Sequence, residues 1–155
     1  METEKPSRDI RLSGHWRCIL HRGNAVVQEV AGKNVVTTNG KDFLAAFLNA
    51  AAGGAATFTM RYVAVGTDAT AEAAAQTALG AELARVSGVV SYVSGAIYQV
   101  TATFASGVGT GAIVEYGLFS TLTSSAGTML TRDTESVINK GANDTLTVVH
   151  QITLS

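Results

Sequence analysis

Charge, aromatic rings, cysteine and proline are all scarce in this chain. Asp, Glu, Lys and Arg make up 15% of its 155 residues, against about a quarter in an ordinary globular domain. A disordered polyelectrolyte, strongly charged and poor in apolar residues, is therefore excluded. The net charge of −1 leaves no basic excess of the kind a nucleic-acid-binding face needs. The one cysteine, Cys18, can form neither an intrachain disulfide nor a cysteine-rich zinc site, and its expected role is a small buried hydrophobe. The most apolar stretch, Leu44 to Ala56, is 13 residues long and is broken by Asn49 and Gly53-Gly54. A bilayer span needs about 20, so no membrane partner is expected. Met1 to Arg11 is polar and lacks the apolar segment of a secretory signal, so a soluble protein of a reducing or redox-indifferent compartment is expected.

What is present is apolar and small. Hydrophobic residues are 46% of the chain and the mean hydropathy is +0.23. The length suits one domain with one core. The charges are unevenly placed. Residues 1–22 carry five basic groups and three acidic ones, while residues 23–155 carry six and nine. Residues 1–12 hold the only proline, Pro6, and almost no apolar side chains. They are expected to form an extended arm outside a single domain at 13–155, because they cannot bury enough surface to fold alone.

The hydrophobic period after the arm is two. Trp16, Cys18 and Leu20 alternate with His15, Arg17, Ile19 and His21, the pattern of a half-buried strand. Runs at 25–30 and 35–38 flank Ala31 to Asn34, which reads as a hairpin turn. Residues 39–52 predict a helix. Thr38 or Asn39 is its cap, Asp42 lies in its first turn, Phe43, Leu44, Phe47 and Leu48 form an apolar stripe, and Gly53-Gly54 stops it. Further strands are expected at 58–66, 86–93, 96–105, 112–119, 128–132 and 145–154. Residues 68–84 read as a loop with a short turn near Thr77 to Gly80 rather than a helix. Many short strands without alternating helices predict an all-β fold: an antiparallel β-sandwich of jelly-roll type with one helix packed on it.

The search for chemistry returns little. His15 and His21 share a strand face but lie about 20 Å apart at roughly 3.3 Å per residue, too far to bind one ion. His150 falls among Leu146, Val148 and Ile152 and is expected to be buried and hydrogen-bonded. The Gly-Lys pairs at 32–33 and 40–41 lack the first glycine of a phosphate loop, and Gly107 to Gly111 precedes a strand rather than a helix. No nucleophile elbow or zinc-protease motif occurs. Glu115, inside an apolar strand, is expected to form a structural ion pair with Arg85 or Arg132. No catalytic residue, metal or cofactor is expected, and no enzyme.

Two groups of residues carry a resemblance. Tyr62-Val63-Ala64-Val65-Gly66-Thr67 with Thr77 to Arg85 is one. Ile113-Val114-Glu115-Tyr116-Gly117-Leu118-Phe119 with Met129-Leu130-Thr131-Arg132 and the closing strand is the other. Over about residues 34–154 the chain resembles a group of small tailed-bacteriophage virion proteins, described as capsid decoration (cement) proteins, head fibres or tail-associated proteins. The resemblance implies a virion component made in the host cytoplasm, with the major capsid protein or other virion proteins as partners. For a decoration subunit on the capsid surface it implies a homotrimer. Tail, neck or fibre placement is the alternative, and a carbohydrate-binding module is the alternative of another class. Residues 1–22 lie outside the pattern. There Lys5, Arg8 and Arg11 are candidate contacts to shell carboxylates, and Trp16 is a candidate anchor.

Overall fold

The computed structural model describes residues 11–51, 59–93 and 95–155, the side chains of 49–51 apart. Among these are nine strands and one helix: β1 (Leu12–Arg22), β2 (Ala25–Val36), α1 (Thr38–Ala51), β3 (Tyr62–Gly66), β4 (Glu82–Ser87), β5 (Val89–Tyr92), β6 (Ile97–Phe104), β7 (Gly111–Phe119), β8 (Met129–Lys140) and β9 (Asp144–Leu154). Every strand pair is antiparallel. The order across the sheet is β4-β3-β7-β8-β2-β1-β9-β6-β5. The expected class, all-β with one helix, is the one the chain adopts.

Two layers arise because two stretches of chain cross between them. β2 pairs with β1 along most of its length and with β8 only at Val35 and Val36. On the opposite side β4 and β5 are consecutive, joined at Gly88, whose N–H donates to the Arg61 carbonyl at 2.8 Å. The sheet is thereby nearly closed on itself. Between the layers sit Trp16, Cys18 and Leu20 from β1, Val100 and Phe104 from β6, Tyr116 and Leu118 from β7, and Leu146, Val148 and Ile152 from β9. The period-two faces of β1 and β9 thus point where alternation places them.

Several local expectations are corrected. Ala31 to Asn34 is not a turn but the middle of β2, and the hairpin turn is Gly23-Asn24. Gly23 has φ +59, a conformation open to glycine at no steric cost and suited to the tight turn between twisted strands. α1 starts one residue early, so Asp42 lies past its first turn. Its cap is Thr37, whose Oγ1 accepts the Gly40 N–H at 2.9 Å. The turn in the 67–81 loop is at Ala73 to Gln76 rather than 77–80. β8 continues well beyond 132, through polar residues that mask its period. The strand expected from Phe58 begins at Tyr62, and the Gly53-Gly54 stop lies outside the described residues.

The helix seals one end of the sandwich only in part. Phe43 and Leu44 pack against the core, whereas Phe47 is 40% and Leu48 70% exposed. Gly40 lets α1 approach β8: a Cβ there would lie 2.6 Å from the Leu130 carbonyl oxygen and 2.8 Å from its Cα. Backbone cannot swing aside as a side chain can. Gly40→Val is therefore expected to lower stability by about 1–3 kcal/mol, read as a fall in urea midpoint.

Candidate functional site

Most of the fold's buried polar chemistry centres on Glu115. Its side chain is fully buried, as is that of Arg132, and the two meet at 2.9 Å. The register makes this possible: Arg132 stands opposite Gly117 and Thr134 opposite Glu115, so both charged groups leave the outer face of the β7–β8 pair. Glu115 Oε1 accepts the backbone N–H of Asp68 (3.2 Å) and of Ala81 (2.8 Å), and Oε2 that of Gly80 (2.9 Å). Arg132 in turn donates to the Thr70 carbonyl (2.8 Å) and Gln76 Oε1 (3.0 Å). The 67–81 loop is thus tied to the sheet at both ends, with Leu79 laid against Ala64, Phe119 and Met129.

Arg85 has a different partner from the one weighed for it. It meets Glu82 at 2.8 Å and donates to the carbonyls of Thr121, Thr123 and Ala126. Its guanidinium lies 3.6 Å over the Phe119 ring, a cation–π geometry that holds the 120–128 loop.

Trp16 is a core residue, 2% exposed and stacked on Tyr116 at 4.3 Å between ring centroids. Turned inward by the alternation of β1, it cannot serve as an external anchor. Arg11 is exposed, and its backbone exchanges two hydrogen bonds with Ser155. Leu12, assigned above to the arm, is the first residue of β1. Lys5 and Arg8 lie outside the described residues.

Two further ionisable groups are sealed in the core. Asp133 stands opposite Tyr116, and burial, with the charges of Glu135 and Glu72, pushes its carboxyl up to about 8. His150 is buried as expected, but neither ring nitrogen has a hydrogen-bond partner among the described residues, which corrects the other half of that expectation. Burial takes its pKa down to about 4. Cys18 is free and buried, facing Tyr116, and burial pushes its thiol up. None of these groups reaches solvent to meet a substrate. Among the described residues, no cluster of His, Cys, Asp and Glu is placed to hold a metal ion, and no helix is long and apolar enough to cross a membrane.

Around one end of the sandwich the outward-facing surface is apolar. At the α1 end, a groove of about 360 Å³ is lined by Leu12, Phe43, Phe47, Met60, Tyr98 and Leu154, among others. A second, of about 340 Å³, shares Tyr98 and Leu154 and runs along β5 past Val90 and Tyr92. Among the described residues, no charged one lines either groove. Val89 and Tyr92 are 73% and 77% exposed, on a strand at the end of the sheet order whose one partner is β6. The sequence places Phe47 and Leu48 on the same stripe as Phe43 and Leu44. A helical period shows which residues share a face but not how much of that face the sheet reaches. Compared with family models, with curated proteins and with solved structures, the chain has no match.

Two outcomes follow from the buried charges. Glu115→Ala leaves three loop N–H groups unpaired and takes from the buried Arg132 its nearest carboxylate, leaving it Asp68 at 3.6 Å, and is expected to cost about 3–5 kcal/mol and to speed amide exchange at 67–81. Asp133 binds a proton in the folded state that an unfolded carboxyl, titrating near 3.8, releases. Its contribution is therefore complete below that value and lost as pH rises toward 8. Between pH 6.5 and 8, as the unfolded His150 loses its remaining proton, the urea midpoint of the native chain is expected to fall relative to that of Asp133→Asn.

Proposed function

We propose that this chain is a structural subunit of a tailed-bacteriophage virion, a capsid decoration protein that binds the outside of the major capsid shell as a homotrimer. The observation that carries the reading is one end of the sandwich, where two adjoining grooves, lined among the described residues by uncharged ones, meet the exposed Phe47, Leu48 and Tyr92. Patches of this kind mark surfaces that another protein covers. Grooves and projecting side chains occur on the same face, which is what closed symmetric association between copies requires. The scarcity of charge fits the same picture, as does the use of Glu115, Arg132 and Arg85 to tie loops down.

The resemblance in residues 34–154 supplies the virion and the three-fold site. Of the other readings, a carbohydrate-binding module is the less supported, because its usual aromatic platform is missing: the single tryptophan is buried. A tail, neck or fibre component shares every physical feature named here and differs in copy number.

Sedimentation is expected to give a species of about 48 kDa, three chains of 16.0 kDa each. Leu48→Glu combined with Tyr92→Glu is expected to weaken that association at least tenfold, and a native chain that stays at 16.0 kDa at micromolar concentration would refute it. In purified particles, hundreds of copies on the head support decoration, while six to a few dozen at the tail support the alternative.

A further inference from the structure

The face of the sandwich away from the 67–81 loop carries a second, polar surface. In register, Lys33 stands opposite His15, His15 opposite Gln151, Gln151 opposite Gln99, and Gln99 opposite Ser91. These five residues form one row across β2, β1, β9, β6 and β5. Trp16, next to His15, points into the core, so the row lies on the outer side. At about 4.8 Å between strands the row is roughly 19 Å long, the length of about six residues of extended chain at 3.3 Å each. Four of its members, Lys33, His15, Gln151 and Gln99, line a trough of about 790 Å³ together with Arg17, Ala31 and Val149, and Ser91 lies beyond it in the β5 groove.

The row is polarised. At one end Lys33 makes no ion pair among the described residues, and His15 no hydrogen bond. Arg17 beside them is bound by Glu29 at 2.6 Å and 3.1 Å, so Lys33 is the cation left for a ligand. At the other end, Gln151 Nε2 donates to Gln99 Oε1 (2.7 Å) and Gln99 Nε2 donates to Ser91 Oγ (3.3 Å). That ladder fixes both amides in place. It still leaves each with a second N–H, and leaves the Gln151 carbonyl oxygen and the Ser91 hydroxyl hydrogen unused. Donors and acceptors in alternation match the N–H and C=O groups of a polypeptide. Among the described residues lining the trough, the one Trp, Tyr or Phe is Trp16, which is 2% exposed and turned into the core, so it offers no open ring face for a sugar.

We propose that this row is a docking site for an extended acidic segment of another protein, with a carboxylate at Lys33 and His15 and main-chain amides along Gln151, Gln99 and Ser91. Charge complementarity selects the acidic partner, and the fixed amide ladder selects an extended polypeptide. The proposal rests on the virion reading only in naming a shell protein as the natural source of such a segment.

The test is fluorescence anisotropy of a labelled deca-glutamate peptide titrated with the full chain at low salt, with polygalacturonate as competitor. Saturable binding is expected, weakened at least tenfold by Lys33→Glu and at least threefold by the charge-neutral pair Gln99→Ala and Gln151→Ala. Lys41→Glu, on α1, is expected to change it less than twofold. Circular dichroism of each variant separates lost binding from lost fold. No saturable binding, an equal effect of Lys41→Glu, or no effect of the glutamine pair would overturn the site. Polygalacturonate binding more tightly than the peptide through the same residues would overturn the polypeptide and point to an acidic glycan. The virion reading is judged separately by copy number, so abundant head copies with no peptide binding would remove the docking site alone.

Discussion

Glu115 lies in the middle of β7 with its carboxylate closed off from solvent, and five donors converge on it: three backbone N–H groups from the 67–81 loop and two nitrogens of Arg132. Burying a charge this way costs several kcal/mol unless every lone pair is answered. Here the answers come from segments far apart in the chain. The loop can lie on β3, β7 and β8 because the carboxylate receives its N–H groups, and Leu79 can then cover Phe119 and Met129. This makes the two outer faces of the sandwich unequal. One is roofed by its own loop, while the other presents a polar row.

The same economy shapes the exterior. In a chain with few charges, Glu115, Arg132, Asp133, Lys140 and Asp144 are all buried, and the side chain of Arg85 is nearly so. The surface is thus poorer in charge than the composition suggests. Charges placed inside hold loops and strand ends. Lys140, for example, donates to the carbonyl of Ala105 at 3.0 Å, joining β8 to the turn after β6. Fewer remain outside to keep copies of the chain apart, and around Phe47, Leu48 and Tyr92 none of the described residues lining the grooves is charged.

A separation of roles follows. The apolar end offers area without direction, which suits association between identical copies. The row from Lys33 to Ser91 offers direction through its polar groups, which suits recognition of a different chain. They lie on different parts of the surface and meet near β5, where Ser91 closes the polar row and Val90 and Tyr92 line the apolar groove. The core beneath holds Asp133 and His150, one raised and one lowered in pKa by burial, which makes stability respond to pH in opposite senses.

Alternation in β1 and β9, the apolar stripe of α1, most of the loop before β4 and the glycine-rich turns were legible from sequence because each is a local pattern, set by backbone period or by the residues a turn accepts, whereas the cap at Thr37 and the start of β4 at Glu82 were not. So was the assignment of Glu115 to an ion pair with one of two arginines, since a carboxylate inside an apolar strand must find a cation. Which arginine it finds, and which loop closes over the pair, depend on the register of β7 against β8 and on hydrogen bonds from the loop that join residues 34 to 62 apart. The turn at Gly23-Asn24 was missed because the polar run 31–34 resembled a turn more closely than the two residues that make one. β8 was cut short because its second half alternates weakly. The row from Lys33 to Ser91 could not be read from sequence at all: its five members come from five strands, and their alignment is set by pairing across the sheet rather than by spacing along the chain.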